Sequence, residues 1–274
     1  MKKTIYILLI LTVIFSFSYA KPEGLESSRP IVEGFWDAGL PPAAQTAWES
    51  TVQTRFIWML ITKKHLKEKV GSGVIVDLDP GRRKALIVTT LHNIEDKDGQ
   101  PSLYRKIKIL FPGEPGNRSQ IETFYPSKRV SIVITRPDKD LAYLSVEYPK
   151  KAQPAIASFK SIDNDVTVPG NLIAIGFPNL SSNRKKIIKR FSAGKFLFKT
   201  LGKNNVHLLA HNAKIWKGNS GGPLVDNNGR VIGLNALIAY QTKISVKNPR
   251  YFYAAICVSE MLDDIEYINK NKLW

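Results

Sequence analysis

The chain contains a single cysteine, Cys257, in 274 residues. One cysteine cannot form an intramolecular disulfide, so the core must hold without covalent crosslinks. Cys257 lies in the apolar run A-A-I-C-V, which favours a buried structural thiol over a reactive one. The sequence also lacks internal repeats and any cluster of residues with metal-ligand spacing. These absences exclude a disulfide-stapled scaffold and a repeat array, and we expect neither a metal site nor a cofactor.

Acidic residues are also scarce. The 23 aspartates and glutamates face 40 lysines and arginines, which gives a formal net charge of +17. Such an excess attracts polyanions such as nucleic acid, anionic lipid or acidic protein substrates. The basic residues are dispersed, with local concentrations at 63–64, 82–84 and 184–190, and no aromatic-interleaved nucleic-acid module accompanies them. We therefore predict no specific nucleic-acid partner and only weak attraction to polyanions.

The apolar run at the start of the chain, from Ile5 to Phe17, is too short to span a bilayer comfortably. It comes after two lysines and precedes the small-residue site S-Y-A at 18–20, which is the pattern of a secretory signal peptide. We expect residues 1–20 to be removed on export, and the mature protein to be periplasmic or secreted. Residues 21–50 indicate an extended leader that ends in a short helix.

From residue 51 the pattern changes to short β-rich runs separated by turn residues, which is typical of antiparallel barrels. Six runs lie in the segment of about 51–147 and six more in about 165–258, including a V-T-V run near 166. The sequence therefore predicts an all-β fold of two six-stranded antiparallel β-barrels within residues 51–274. A final run, 259–270, has apolar residues at helical spacing behind Ser259 as a cap, and predicts a docked C-terminal helix.

The candidate site centres on the run G-N-S-G-G-P-L at 218–224. A serine hydroxyl is a weak nucleophile unless a base takes its proton and hydrogen-bond donors stabilise the oxyanion. Glycines let the chain turn tightly here, so the backbone N–H groups of Gly218 and Ser220 can point at one oxyanion. Upstream, His92 ends the strand-like run A-L-I-V-T-T-L, and Asp140 opens the run D-L-A-Y-L-S-V. Taken singly, each of these residues also fits an ordinary turn or strand end.

Together, the order His92, Asp140, Ser220 and their local strings resemble the trypsin-like, chymotrypsin-fold serine proteases, closest to their HtrA-like bacterial branch. The resemblance spans roughly residues 50–258, so we expect no appended peptide-binding domain of the kind that many HtrA-like proteins carry. It implies a serine endopeptidase in which Ser220 attacks, His92 acts as general base and then acid, and Asp140 holds the imidazole tautomer. Leu91 departs from the family pattern, in which a small residue precedes the histidine; a bulky neighbour tilts the imidazole unless its side chain points into the barrel.

The resemblance also places a substrate pocket. The residue six before the nucleophile, Lys214, would lie near its base, and its wall would come from Leu234, Asn235, Ala236 and Leu237. An ammonium pointing into the pocket predicts cleavage after Asp or Glu, because an unpaired charge in a closed pocket is costly. An ammonium pointing to solvent predicts cleavage after small or medium aliphatic residues.

A function of another class also fits the sequence. The fold could serve as a catalytically silent binding module, in which a misaligned triad is retained and the basic surface supplies the function. Leu91 and the net charge motivate this alternative.

Overall fold

The computed structural model describes residues 40–60, 66–95, 102–112, 124–161, 170–179, 189–240 and 251–274. The predicted signal peptide, the leader up to residue 39 and the predicted V-T-V strand lie outside these ranges. The strands are β1 (Thr51–Leu60), β2 (Leu66–Asp79), β3 (Lys84–Thr90), β4 (Ser102–Pro112), β5 (Phe124–Pro126), β6 (Arg129–Arg136), β7 (Leu141–Glu147), β8 (Asn171–Gly176), β9 (Arg190–Leu201), β10 (His207–His211), β11 (Pro223–Val225), β12 (Val231–Tyr240) and β13 (Tyr251–Cys257). The α-helices are α1 (Gln45–Glu49) and α2 (Ser259–Lys270), and 3-10 turns occur at Pro42–Ala44, Leu91–Asn93 and Lys203–Asn205.

The first half of the chain forms an antiparallel sheet in the order β5-β4-β1-β2-β3-β7-β6. The six predicted runs correspond to six of these strands, and the short edge strand β5 is an addition that the sequence pattern did not reveal. Within the described residues β5 and β6 remain the two ends of the sheet, so it is a half-barrel rather than the closed barrel that the sequence predicts.

The second half forms a closed six-stranded barrel in the order β10-β13-β12-β11-β8-β9. Its sixth strand is β13, which pairs with both β12 and β10. The sequence pattern marks that segment only as the apolar surroundings of Cys257. The thiol is 2% exposed and unbridged, as predicted.

Alternate residues of β3 face two different cores, because successive side chains of a strand point to opposite sides. Ala85 and Ile87 pack inside the half-barrel, whereas Leu86 and Val88 belong to a core that includes residues of the closed barrel. Burial on both faces explains why the run A-L-I-V-T-T carries no polar–apolar alternation. It also makes the end of β3 a rigid support for the 3-10 turn at Leu91–Asn93.

The C-terminal helix α2 begins at Ser259, but Val258 occupies the N-cap position and no side chain caps the helix. Its buried positions are Met261, Ile268 and the carboxylate residue Asp264. The helix thus buries the predicted apolar face, but the prediction that Ser259 caps it is wrong. The apolar pattern also does not explain why Asp264 is buried. Neither α-helix within the described ranges has the length and apolarity needed to cross a membrane.

His211, at the end of β10, is fully buried, and neither imidazole nitrogen has a hydrogen-bond partner of normal geometry among the described residues. Burial lowers the pKa of His211 to about 4, and the nearby backbone of Ala213 offsets a smaller part. The ordinary pKa of histidine is 6.5. Between pH 6.5 and about pH 4, His211 therefore binds a proton in the unfolded chain but not in the native state. This difference costs the native state stability as the pH falls.

We expect this one group to remove about 3 kcal/mol of the free energy of unfolding between pH 6.5 and pH 4. Its contribution is constant above about pH 7, where His211 is neutral in both states. Urea unfolding of wild type and His211→Leu across this range checks the prediction, because other titrating groups are common to both proteins. Equal slopes of stability against pH in the two proteins would contradict it.

Candidate active site

The register between β3 and β7 brings the first two candidate catalytic residues together. Thr90, the last residue of β3, lies opposite Leu141, the first residue of β7. His92 comes after β3 in a 3-10 turn, and Asp140 directly precedes β7. Because the two strands are antiparallel, both residues lie at the same end of this strand pair. The Leu91 side chain is 4% exposed and packs in the half-barrel core, which leaves the imidazole of the next residue turned away from the core.

Asp140 holds the turn that carries the histidine through three hydrogen bonds, two of them to His92 and one to Leu91. Its Oδ2 lies 2.6 Å from His92 Nδ1, its Oδ1 accepts the His92 backbone N–H at 2.9 Å, and its carbonyl accepts the Leu91 N–H at 2.9 Å. Asp140 has a backbone φ of 56°, in the left-handed region that Asp and Asn tolerate better than most residues. The carboxylate therefore fixes both the ring orientation and the tautomer with the proton on Nδ1.

Ser220 lies in a loop whose shape depends on glycine. Gly218 has a φ of 103°, and a Cβ there would lie 2.2 Å from the Phe177 carbonyl oxygen. The Asn219 N–H donates to the Trp216 carbonyl at 2.9 Å. Within the described part of the chain, the N–H groups of Gly218 and Ser220 have no such acceptor. Two amide donors are thus left available on the alternate residues that the sequence predicts for an oxyanion hole.

The serine hydroxyl and the imidazole are not hydrogen-bonded to each other in the part of the chain that the structure describes. Ser220 Oγ donates to the Ala236 carbonyl at 3.4 Å, and His92 Nε2 lies 3.5 Å from Thr90 Oγ1. Catalytic hydrogen bonds are often long or poorly aligned without substrate and tighten in the complex. The structure thus brings His92 and Asp140 into contact and leaves the Ser220 hydroxyl on a weak partner.

The loop around Ser220 is anchored to β2 of the half-barrel. The Ser72 N–H donates to the Ser220 carbonyl at 2.8 Å, and Ser72 Oγ donates to the Gly218 carbonyl at 2.7 Å. The same hydroxyl accepts the Phe177 N–H at 3.0 Å. Ser72 therefore connects the half-barrel to the nucleophile loop and to the residue that follows β8 of the closed barrel. No motif in the sequence predicts this role for Ser72.

Asn93, directly after the histidine, makes the second link between the two catalytic segments. Its Nδ2 donates to the Ser220 carbonyl at 2.7 Å and to Thr89 Oγ1 at 3.1 Å, and the residue is 3% exposed. The absence of a Cβ at Gly71 makes room, since one there would lie 2.3 Å from the Asn93 amide. The turn that carries the base is thus fixed to the backbone of the nucleophile.

Replacing Asn93 with alanine leaves the Ser220 carbonyl one donor short and opens a small buried cavity. We expect the free energy of unfolding to fall by about 1–3 kcal/mol, the usual cost of disrupting a buried hydrogen bond. Urea unfolding measures it. Asn271→Ala is the matched control, because that amide donates to the Tyr267 carbonyl at an exposed position and should cost less than about 0.5 kcal/mol. Equal losses in the two variants would contradict the role given to Asn93.

The predicted pocket residues lie in different environments. Leu234 and Asn235 are fully buried, and the Asn235 amide donates to the carbonyls of Gly222 and Pro223 at 3.1 and 3.0 Å. These two residues lie against the nucleophile strand, where Leu234 pairs with Pro223, and their part in a pocket wall stays a prediction. Ala236 lies at a bulge in β12, and the side chain of Leu237 lies outside the described residues.

Lys214 is exposed. It belongs to residues 211–216, which alternate strictly between buried and exposed positions. Trp216, two residues further along, is 43% exposed on the same alternation. No sequence motif marks Trp216 as a site residue, although the polar–apolar alternation of residues 212–215 is consistent with its exposure. The described residues contain no group of three or more metal-ligating side chains placed to hold an ion.

Comparison with known proteins assigns the family. The model of the trypsin-like peptidase domain matches residues 71–234. The chain therefore belongs to the trypsin-like peptidase family, as its sequence motifs predicted. The chain is also similar to HtrA-type proteases, in line with the resemblance of its motifs to the HtrA-like branch.

Protease Do-like 5 of the Arabidopsis thaliana chloroplast is 30% identical over 169 residues, which is 61% of this chain and 48% of that protein. Magnetosome formation protease MamE of Paramagnetospirillum magneticum is 33% identical over 176 residues, or 62% of this chain and 20% of that protein. The match thus spans half or less of the length of these relatives.

Two solved structures share the fold. The crystal structure of Deg5 aligns with a TM-score of 0.55 and 23% identity over 82% of this chain and 91% of that chain. The HtrA-type protease AlgW with decapeptide aligns with a TM-score of 0.56 and 21% identity over 83% of this chain and 66% of that chain.

Proposed function

We propose that the protein is an exported serine endopeptidase that cleaves protein substrates through an acyl-enzyme. The observation that carries the proposal is the 2.6 Å contact between Asp140 Oδ2 and His92 Nδ1, on an imidazole whose turn is fixed to the Ser220 loop by Asn93. Membership of the trypsin-like peptidase family supports a peptidase activity. The signal-peptide pattern at residues 1–20 supports export.

In the proposed reaction, Ser220 Oγ forms a bond to the carbonyl carbon of the substrate peptide while its proton passes to His92 Nε2. The N–H groups of Gly218 and Ser220 stabilise the oxyanion, and the imidazolium then protonates the departing amine. Asp140 keeps the imidazole in the required tautomer and stabilises its positive charge. Water hydrolyses the acyl-enzyme by the same proton transfers in reverse and restores the serine.

For the bond cleaved, we propose a preference for small or medium aliphatic residues on the acyl side. The alternative, cleavage after Asp or Glu, rests on a lysine ammonium enclosed in the pocket. Lys214 is exposed, so water can solvate its charge and no acidic substrate residue is needed to neutralise it. The basic surface contributes at most weak attraction to acidic substrates and other polyanions.

Profiling of the bonds cleaved in a denatured proteome tests the activity and the preference together. We expect cuts after aliphatic residues, which disappear with Ser220→Ala. Predominant cleavage after Lys or Arg would contradict the proposed preference, since no acidic residue occurs at the named pocket positions. An absence of any cut that depends on Ser220 would contradict the activity.

A second candidate function is a binding module on a peptidase fold. The observation that favours it is the hydrogen bond from Ser220 Oγ to the Ala236 carbonyl, in place of one to the imidazole. In that case, binding to heparin or anionic vesicles should be tight and should fall steeply with salt. For the peptidase we expect weak retention at physiological salt.

A further inference from the structure

The turn that carries Asp140 is held from the other half of the molecule. Residues 137–140 connect β6 to β7, and the flanking residues on this hairpin contact the C-terminal helix α2. Asp140 has the left-handed φ of 56°, a less populated backbone region even for aspartate, so contacts that hold the turn help to maintain it. The residues that hold this turn therefore influence the position of the Asp140 carboxylate relative to His92.

Asp264 of α2 makes the main contact. Its Oδ1 accepts hydrogen bonds from Arg136 Nε at 2.8 Å and Arg136 Nη2 at 2.6 Å, and its Oδ2 accepts the Tyr143 hydroxyl at 3.1 Å. Arg136 is the last residue of β6, and Tyr143 is the third residue of β7. One carboxylate thus binds both strands of the hairpin, on either side of the turn.

The protonation states suit this arrangement. The hydrogen bonds from Arg136 to Asp264 raise the pKa of Arg136, so its charge is secure. Burial, with a smaller effect from the charge of Asp264, raises the pKa of Tyr143, which keeps its hydroxyl protonated as a donor. Asp264 is 6% exposed and Tyr143 is fully buried, whereas the Arg136 side chain is 38% exposed, so removal of the carboxylate leaves the buried Tyr143 hydroxyl without this acceptor.

Glu260, one turn earlier on α2, binds the turn itself. Lys139, the neighbour of Asp140, donates to the Glu260 carbonyl at 2.9 Å and lies 3.4 Å from its Oε2. Glu260 Oε1 also accepts the His207 N–H at 3.0 Å, which connects the helix to β10 of the closed barrel. Burial tends to raise the pKa of Glu260, but the His207 hydrogen bonds and the Lys139 charge hold it below its ordinary value.

We infer that α2 is a positioning element for the catalytic aspartate, and that Asp264 is its main positioning residue. This inference rests on the proposed function, because positioning matters only if the triad reacts. α2 lies beyond residues 71–234, the part of the chain that matches the family model. The helix fixes Arg136 and Lys139, and they fix the turn that presents Asp140 Oδ2 to His92.

The test compares Asp264→Asn with Asp263→Asn, the same change at an exposed neighbour on the same helix. Two quantities are measured: the rate at which a fluorophosphonate labels Ser220, and the far-downfield proton signal of His92 Nδ1–H. We expect Asp264→Asn to slow labelling roughly ten- to hundredfold, the scale of a small misplacement of catalytic groups, and to shift or weaken the proton signal. Asp263→Asn should match the wild type in both measurements.

Wild-type labelling and an unchanged proton signal in folded Asp264→Asn would overturn the inference. If that variant does not fold, Arg136→Lys carries the same comparison, since it keeps the charge and loses the two-pronged contact. A wild type that shows the proton signal but never labels would refute the proposed function alone. The response of the signal to Asp264→Asn would still decide the positioning role.

Discussion

Replacing Ser220 with alanine should lower the turnover of an unstructured protein substrate by several powers of ten, on the order of 10⁴ or more. The hydroxyl oxygen is the only non-hydrogen atom removed, and in the proposed mechanism it forms the bond to the substrate. Its hydrogen bond to the Ala236 carbonyl is long, at 3.4 Å, so we expect the free energy of unfolding to change by less than about 0.5 kcal/mol. Loss of activity with an intact fold is therefore the expected result.

Release of peptides from an unfolded protein, measured by mass spectrometry, quantifies this loss directly. Ser131→Ala is the matched control, because it makes the same change at an exposed position on β6 and should leave turnover unchanged. Turnover by Ser220→Ala at the wild-type rate would contradict the assignment of the nucleophile.

Replacing Asp140 with asparagine should be nearly as damaging, with turnover lower by roughly 10³- to 10⁴-fold. Oδ1 of Asp140 accepts the His92 backbone N–H, and Oδ2 faces His92 Nδ1. In asparagine the single oxygen retains the backbone donor, so the amide NH₂ faces Nδ1. Nδ1 must then accept a hydrogen bond, which places the ring proton on Nε2, where it blocks transfer from the Ser220 hydroxyl.

The left-handed φ of Asp140 suits asparagine equally well, so this variant should fold normally. Asp138→Asn is the control, since it makes the same change at an exposed position in the same turn. We expect Asp138→Asn to retain wild-type turnover of the unfolded substrate. Equal activity of both variants with the wild type would show that Asp140 does not set the tautomer of His92.

Much of the site could be predicted because its residues sit in short local strings. The strands that end before His92 and begin after Asp140 are recognisable alone, and antiparallel pairing then brings their ends together. The glycines around Ser220 likewise indicate a tight turn, since positive φ at Gly218 and Gly221 suits glycine above other residues. These features depend on neighbours along the chain.

The rest depends on contacts between distant segments, which a single sequence does not encode locally. Closure of the second barrel by β13 depends on its pairing with β10 and β12, which its apolar sequence does not specify. Asn93 and Asn235 look like ordinary polar residues until Ser220 and Gly222 are placed beside them. Asp264 is a polar residue on the buried face of α2. Its partners, Arg136 and Tyr143, come from the half-barrel sheet, which is distant in the sequence.

The central claim, that Ser220 is an activated nucleophile, is tested most directly by labelling the purified protein with a fluorophosphonate and mapping the modified residue by mass spectrometry. A serine is phosphonylated rapidly only when a base and oxyanion donors assist it. We predict a single modification on Ser220 that is abolished in Ser220→Ala and strongly slowed in Asp140→Asn. A well-folded protein that stays unlabelled would contradict the proposed peptidase and favour the binding module.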